Sequence, residues 1–403
     1  MKKLVMMLMI LTAIIGYGNK TFAQGEAAVP FLLLAPDSRA GGIGESGSGL
    51  ADNSAAIFWN PAGIAFLTGS EVGFTHSNWL PQFNLDIFYD YATYRQYIED
   101  ISGSVTASVT YMNYGEFIRT SSNSPDPIGK FRSFDAAFTV GYATKLSNDW
   151  GLGVNFRLIH SQLSDQPTEA EQGTGVATTV SFDIAAMWRP ESLYVPLIGE
   201  IGNKFSVGVN ISNIGPKIYY IDQAQADPIP QNFRLGFAAR IFEDEYNSLT
   251  YTLDFSKLLV DKGISKTDTG LSGEETDTTE VTTTKRKDFY EALFSAWADQ
   301  SFSEELRDIV TSMGLEYWYG VPGDFMFALR AGMFYEDPSF GNRKFATLGA
   351  GIRYDLYGFD FSYLTTDLFK DGENHPLNNT LRFTLMIGWG SQPQKTFGLP
   401  RGI

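Results

Sequence analysis

Cysteine is absent from this 403-residue chain, and histidine occurs only 3 times. Without cysteine there is neither a disulfide framework nor a thiolate metal site. Three histidines leave little room for a histidine-rich catalytic or metal cluster. Basic residues are also few, with 30 Lys and Arg against 46 Asp and Glu and a net charge of −16. Nucleic acid is excluded as a partner, because binding its phosphates requires a basic face.

Glycine and aromatic residues are abundant instead, with 40 Gly, 31 Phe, 20 Tyr and 7 Trp. Aromatic side chains favour strands, and glycine is a poor helix former. The composition therefore indicates a β-rich protein and excludes a helical bundle.

The first 23 residues are predicted to be a signal peptide. Lys2 and Lys3 form a positive n-region, residues 4–15 a largely apolar h-region, and residues 21–23 (TFA) a cleavage site. A signal anchor is the alternative, but this apolar stretch is shorter than the roughly 20 residues of a spanning helix. No later apolar run is long enough to span either. The exported chain is therefore a secreted or periplasmic β protein, or an outer-membrane β-barrel.

Apolar residues alternate with small or polar residues in fourteen segments, which predicts fourteen strands. In one of them Leu152, Val154 and Phe156 alternate with Gly153 and Asn155. Most segments reach the ~9–11 residues with which a tilted strand crosses a bilayer. The predicted strands are 70–79, 83–92, 103–114, 131–145, 149–162, 175–190, 204–213, 230–242, 249–260, 309–319, 324–336, 345–356, 359–366 and 378–389.

The composition of the polar face favours a membrane barrel over a soluble β-sandwich. A soluble sheet would carry Lys, Glu and Thr on its wet face. Here that face carries Gly, Ser, Thr and Asn, with isolated charges of both signs. Such charges indicate a closed lumen, with Phe, Leu and Val turned to lipid. Balanced charges inside a barrel usually brace the wall and anchor a plug, and contact with cargo is the alternative role. The charged residues predicted to face the lumen are Asp135, Asp183, Asp254, Asp360, Arg157, Arg234, Arg353 and Arg382.

Connection lengths predict the orientation in the membrane, because outer-membrane barrels have short periplasmic turns and longer extracellular loops. Trp150, Trp188 and Trp389 are predicted to form an aromatic girdle on the lipid face at the periplasmic end. Two links, 80–82 and 191–203, depart from the alternation. The predicted short links are 147–149, 243–248, 321–323 and 357–358, and the long ones are 115–130, 163–174, 214–229, 261–308, 337–344 and 367–377.

Residues 24–69 precede the first strand and are predicted to fold back into the barrel as a plug. The glycine-rich stretch 41–49 contains a formal G-x-G-x-x-G, but no βαβ unit surrounds it, so nucleotide binding is not expected. A short helix is predicted at 52–58, with Asp52 as its N-cap and an end before Pro61.

Helical spacing occurs within the long loop 261–308, at residues 288–300 and 302–310. Phe289, Leu293, Phe294 and Trp297 form an apolar stripe along the first of these segments. Packing of this stripe over the barrel mouth is the favoured interpretation, because isolated exposed patches are rare. The alternative is a partner-facing loop.

The sequence ADNSAAIFWNPAGIA at residues 51–65 resembles the N-terminal hatch of the FadL superfamily, with its Asn-Pro-Ala motif. The full form of the motif, the lead-in APDSRAGGIGESG and the loop lengths resemble the PorV family, also called LptO, of the Bacteroidetes type IX secretion system. The resemblance covers essentially the whole mature chain. It implies an all-β fold, a 14-stranded antiparallel outer-membrane barrel with an N-terminal hatch. The corresponding domains are the signal peptide 1–23, the hatch 24–69, the barrel 70–390 with its long extracellular loop 261–308, and a C-terminal tail 391–403.

The resemblance also implies a function in the outer membrane. The protein would bind secreted cargo through the cargo's C-terminal signal domain at the large translocon barrel. It would then pass the cargo to a surface attachment complex, among outer-membrane lipids and lipopolysaccharide and without a cofactor. In that family the hatch motif is a structural signature, carried here by Trp59, Asn60, Pro61, Ala62 and Gly63.

Two other functions are weighed against this one. A FadL-like transporter of hydrophobic small molecules would need a continuous apolar path, which charges in the lumen oppose. A lipid-modifying hydrolase would need a nucleophile within reach of a histidine base. His76 and His160 are each followed by a serine that points to the opposite face of the strand, and His375 lies in a polar loop. We therefore expect no enzymatic activity.

Overall fold

The computed structural model describes residues 27–83, 85–121, 124–164, 173–196, 199–222, 225–260, 287–369 and 375–390. The predicted signal peptide, residues 261–286 of the long loop and the tail 391–403 lie outside these ranges. Fourteen antiparallel strands close into one barrel, in which β1 pairs with both β2 and β16. The predicted fold class is confirmed.

The strands lie close to the fourteen predicted segments, and a small hairpin, β7–β8, is added outside the barrel. In chain order the strands are β1 Ser70–Asn78, β2 Phe88–Ile98, β3 Gly103–Ser121, β4 Ser124–Lys145, β5 Trp150–Gln162, β6 Val176–Trp188, β7 Tyr194–Val195, β8 Gly199–Glu200, β9 Phe205–Ile214, β10 Asn232–Glu243, β11 Asn247–Leu258, β12 Val310–Tyr319, β13 Met326–Tyr335, β14 Lys344–Tyr354, β15 Tyr357–Thr365 and β16 Thr380–Trp389.

The apolar face of the barrel wall points outward. On β5, Val154 and Phe156 are 50% and 41% exposed, whereas Asn155 and Arg157 are buried. A soluble sheet would bury the apolar face, so this arrangement requires lipid around the barrel. Among the eight charged residues predicted to face the lumen, Arg234 and Arg353 are half-buried and the other six are buried.

Two of the three girdle tryptophans pack together. Trp150 pairs with Trp188 across β5 and β6, with ring centroids 6.3 Å apart. Trp389 lies opposite Ser70, where the barrel closes. All three lie at the end of the barrel that carries the short turns, such as the turn between Tyr354 and Tyr357. Short turns mark the periplasmic side, so the long loops are extracellular.

The structure corrects three of the predicted links. The predicted loop 115–130 is instead a continued ladder, paired from Gly115↔Ser133 to Ser121↔Ser124. The turn predicted at 357–358 lies at 355–356, where Asp355 adopts a left-handed conformation that aspartate tolerates. The link predicted at 80–82 spans residues 79–87, because β1 ends earlier and β2 begins later than expected.

The remaining elements are short helices. α-Helices occur at Ser38–Gly42, Ala56–Trp59, Phe289–Ser295 and Phe302–Arg307, and 3-10 helices at Pro30–Leu33, Pro61–Phe66, Pro81–Phe83 and Glu99–Ile101. In the part of the chain that the structure describes, no helix is long and apolar enough to cross a membrane.

The helix predicted at 52–58 begins later than expected. Its first residue is Ala56, and Asp52 does not cap it, because the Asp52 carboxylate is bound to the guanidinium of Arg39. An aspartate N-cap occurs earlier, where the Asp37 carboxylate accepts a hydrogen bond from the Ala40 N–H at the start of the Ser38–Gly42 helix.

Candidate functional site

Residues 27–69, here called the N-terminal segment, lie against the inner wall on several sides of the barrel. On one side the Asn155 amide of β5 donates to the Ile57 carbonyl at 2.8 Å. On another, Gly49 lies so close to β10 that an added Cβ would be 2.6 Å from the Phe237 nitrogen. Glycine is required there because the two backbones approach closely.

The hatch motif makes local bonds that fix a tight turn. The Trp59 indole N–H donates to the Asp37 carboxylate at 2.6 Å. The Asn60 side-chain oxygen accepts from the Ala62 N–H at 3.0 Å and caps the following 3-10 helix, in which Pro61 occupies the first position. At Gly63, an added Cβ would lie 2.7 Å from the Cβ of Ala51. Trp59 through Gly63 are buried, so the motif holds the segment together rather than offering a surface.

A buried ion network joins the N-terminal segment to the wall. Arg39 donates to both carboxylate oxygens of Glu316, each at 2.7 Å, and pairs also with Asp52. Arg330 bonds Glu316 at 2.7 Å and Asp360 at 2.9 Å. Fixed, bidentate arginine geometry gives such pairs direction as well as energy.

The predicted lumen charges serve two roles. Arg157 and Asp183 pair with each other at 2.8 Å and brace the wall between β5 and β6. Arg382 reaches Glu45 at 2.8 Å, and the Asp254 carboxylate accepts from the Ser48 N–H at 2.8 Å. The second set therefore anchors the N-terminal segment.

A cavity of about 50 Å³ opens at the extracellular end, between the N-terminal segment and β10–β13. The Arg234 guanidinium lies over the rings of both Phe58 and Trp59, at 5.1 and 4.8 Å from their centroids. These contacts hold the cation at the cavity wall, and a guanidinium suits recognition of carboxylates or peptide carbonyls. The lining residues are Leu33, Glu45, Trp59, Asn232, Arg234, Asp254, Ser256, Leu258, Asp308, Val310, Ser312, Phe334 and Arg343.

A second arginine at the cavity is held by a neighbouring acid. Arg343 donates to both oxygens of Glu336, at 2.8 and 2.9 Å. Burial acts against its charge, but the bond to Glu336 outweighs burial and raises the pKa of Arg343 above its usual value. Arg343, at the edge of the cavity, therefore remains charged at physiological pH.

Part of the predicted apolar stripe packs against the barrel, and part of it is exposed to solvent. The Trp297 ring packs edge-on against Phe233 at 5.1 Å, and Ala292 and Ala296 are buried beneath the helix. Phe289 and Leu293 are half-buried. Phe294, in contrast, is 80% exposed.

Three further apolar residues are exposed near Phe294 in sequence, and the helical stripe did not indicate them. Tyr290, Phe302 and Leu306 are 54%, 80% and 55% exposed. Together with Phe294 they are called the exposed crest. The sequence could have indicated Phe302, because it is the first residue of a helix whose capping box is formed by Ser301 and Glu304.

The three histidines make separate, local bonds. His76 is bonded to Asp90 at 2.7 Å and His160 to Thr178 at 2.9 Å. His375 Nδ1 accepts from the Leu377 N–H at 3.2 Å, and partial burial followed by the nearby charge of Arg343 lowers the pKa of His375. Within the described ranges no three His, Asp or Glu side chains are grouped as a metal site.

Comparison with known proteins gives one family and several similar folds. The family model described as type IX secretion system protein PorV matches residues 19–264, more than half of the chain. The crystal structure of a Pseudomonas aeruginosa FadL homologue is similar at 10% identity and a TM-score of 0.46, over 88% of this chain and 97% of that one. The Pseudomonas putida toluene transporter TodX is similar at 10% identity and a TM-score of 0.44, over 91% and 98%. No curated protein matches the sequence.

Proposed function

Because the chain belongs to the PorV family of type IX secretion system proteins, we propose that it is the cargo-binding adaptor of that system. In this role the barrel recognises the C-terminal signal domain of a secreted protein at the translocon. It then passes the cargo to the surface attachment complex. The chain is an outer-membrane β-barrel, so these contacts occur at its extracellular end.

The observation that carries the proposal is the exposed crest, whose Leu306 lies two residues before the cavity-lining Asp308. Phe294 and Phe302 are each four-fifths exposed on the long-loop side. Exposed apolar patches rimmed by polar groups are typical of protein-binding surfaces. Burying a phenylalanine at an interface contributes about 1.5–3 kcal/mol, and the stacked Arg234 adds a directional polar contact.

The seating of the N-terminal segment supports an adaptor over a transporter. The paired charges of Arg39, Glu316 and Arg330 cross the interior, and a hydrophobic solute gains little from passing paired charges. The FadL-like transporter remains the competing function. A steady large conductance in planar bilayers, or saturable binding of a long-chain fatty acid in the lumen, would favour transport.

We also propose that the protein has no catalytic activity. Each histidine is bonded to its own local partner, and His76 is exposed while the neighbouring Ser77 is buried. This geometry does not assemble a serine nucleophile with a histidine base. Alanine at each histidine should leave the lipid A of the cell unchanged, and altered lipid A in any of the three variants would contradict this.

The adaptor proposal is tested by removing the crest. Phe294→Ser with Phe302→Ser should weaken binding of a purified cargo C-terminal signal domain at least tenfold, measured by microscale thermophoresis in detergent. Leu368→Ser is the matched control, because Leu368 is 76% exposed in a different extracellular loop. Unchanged binding by the double variant, or an equal loss in the control, would count against the crest as the cargo surface.

A further inference from the structure

The hairpin formed by β3 and β4 rises beyond the rest of the barrel wall. Pairing of β3 with β2 ends at Phe88↔Asn113, and pairing of β4 with β5 ends at Phe134↔Gln162. Residues 115–121 and 124–133 are therefore paired only with each other among the described strands. This two-stranded extension is called the ribbon.

One hydrogen bond reveals which backbone groups lie on the edges of the ribbon. The Gln162 side-chain amide donates to the Arg132 carbonyl at 3.4 Å, so that carbonyl points away from β3. In an antiparallel ladder, directly opposite residues turn their N–H and C=O groups either both inward or both outward. Glu116 is opposite Arg132, and Ile118 is opposite Lys130 two residues further along. Glu116 and Ile118 therefore present N–H and C=O groups on the free edge of β3.

The two edges of the ribbon differ in how well they are protected against pairing with another strand. The β4 strand carries prolines at positions 125 and 127 and the cations Lys130 and Arg132. Prolines and charges are the usual means by which proteins prevent pairing at a sheet edge. Residues 116–120 of β3 contain no proline, and their two charged side chains are engaged within the ribbon, Glu116 by Lys130 and Arg119 by the Phe131 ring. The β3 edge therefore remains competent to pair.

Apolar side chains are exposed on the ribbon. Ile118 is 61%, Ile128 62% and Phe117 43% exposed, and the Phe117 ring stacks on Phe131 at 5.6 Å. A two-stranded ribbon is marginally stable in water, and a third strand supplies both backbone bonds and apolar contact. The ribbon thus has the surface of an incomplete sheet.

We propose that the edge of β3 at residues 116–120 accepts an extended strand from another protein at the cell surface. Added strands gain affinity from main-chain hydrogen bonds and specificity from alternate side chains. Phe117 and Ile118 lie on opposite faces of the ribbon, so the incoming strand presents an apolar residue to each face. The ribbon carries three basic and two acidic residues, which favours a neutral or acidic strand.

A second copy of this chain does not fit the edge. Two barrels in one membrane have the same orientation, and β3 ascends to the extracellular side in both. A two-fold axis along the membrane normal would make two β3 edges parallel, which is the less stable pairing. The occupant is therefore a different polypeptide. The inference does not depend on cargo binding at the crest, so either can fail alone.

The test uses the full-length protein in detergent and the synthetic acidic peptide Glu-Thr-Val-Val-Thr-Val-Val-Glu as a generic strand with apolar residues on both faces. Hydrogen exchange resolved to single amides should show that Glu116 and Ile118 become protected when the peptide is added. Ile118→Pro removes an outward N–H without breaking the β3–β4 ladder, and proline is tolerated at such edge positions. We expect the dissociation constant of this variant to be about fivefold larger, because one hydrogen bond to the peptide is lost.

Two further variants separate backbone from side-chain effects. Lys130→Pro removes the equivalent N–H from the opposite edge and should bind the peptide like the wild type, since the exposed pair between Lys130 and Glu116 contributes little. Ile118→Thr keeps the N–H and should bind more tightly than Ile118→Pro. No protection of Glu116 and Ile118, or equal losses in both proline variants, would overturn the proposal. Concentration-dependent protection without peptide would assign the edge to a second copy and overturn it as well.

Discussion

Arg39 holds Glu316 through two parallel hydrogen bonds, from Nε to Oε2 and from Nη2 to Oε1, each 2.7 Å long. Arg39 belongs to the N-terminal segment and Glu316 to β12. Both side chains are buried, and the two residues are far apart in the chain. One ion pair thus ties the segment to the wall of the barrel.

Removal of that carboxylate should destabilise the protein strongly. Glu316→Ala leaves Arg39 and Arg330 each without one of their buried partners, and breaking a buried pair costs about 3–5 kcal/mol. Urea unfolding in lipid vesicles, followed by tryptophan fluorescence, measures the loss. Glu116→Ala is the matched control, because its pair with Lys130 is exposed and should contribute little to stability. Similar losses in the two variants would contradict a structural role for the network.

The hatch motif should not tolerate a side chain at Gly63. An added Cβ would overlap the Ala51 carbonyl oxygen and lie 2.7 Å from the Ala51 Cβ, whereas at Gly388 the nearest atom would be 3.7 Å away. Gly63→Ala therefore displaces the buried turn and should cost about 1–3 kcal/mol, as overpacking does. Gly388→Ala should stay close to wild type in the same unfolding measurement. A Gly63→Ala variant as stable as Gly388→Ala would show that the turn relaxes freely.

Spin labels can report the environment of the outer face, since the chain contains no cysteine to interfere. Labels at Val207 and Phe237 should show high accessibility to oxygen and low accessibility to a water-soluble nickel chelate in vesicles, because both positions face lipid. A label at Glu245, exposed in the turn after β10, should show the reverse. Water exposure at Val207 or Phe237 would refute the membrane assignment of this wall.

The periplasmic hairpin should respond to pH through Glu200. Backbone N–H groups of Leu193 and then Gly202 donate to its carboxylate, and these bonds lower the pKa of Glu200. Because the pKa is lower in the folded state, the carboxylate stabilises the hairpin at pH values above its unfolded pKa. This stabilisation is lost as the pH falls through the folded-state pKa. A carboxyl ¹³C titration by NMR should give a midpoint below 4.5. Glu200→Gln should abolish the transition, and a midpoint at or above that value would contradict the bonding.

Much of the wall could be predicted from the sequence because alternation with period two is a local property. Val154 and Asn155 reveal their opposite faces without knowledge of any partner strand. The ribbon was assigned to a loop for an equally local reason. Gly115, Gly129 and the prolines at 125 and 127 are typical turn residues, whereas the stacked pair of Phe117 and Phe131 that accompanies the ladder forms only once both strands are present.

The centre of the candidate site could be predicted only in part. Strand parity correctly placed Asp254 and Arg382 in the lumen, but their partners Ser48 and Glu45 belong to a segment without regular periodicity. Asp52 shows a second limit, because a local rule assigned it as a helix cap while Arg39, 13 residues earlier, binds it. Pairing across hundreds of residues depends on the closed barrel and leaves no signal in a short window of sequence.

The bonds of Ser38 have a consequence for the order in which the protein assembles. Its N–H donates to the Thr384 hydroxyl at 2.9 Å, so one of the earliest exported residues is secured by the last strand. Until β16 has closed against β1, that anchor does not exist. The last anchor of the amino-terminal insert therefore forms together with closure of the cylinder, and a nascent barrel that stalls before closure leaves that part of the insert accessible to periplasmic proteases and chaperones.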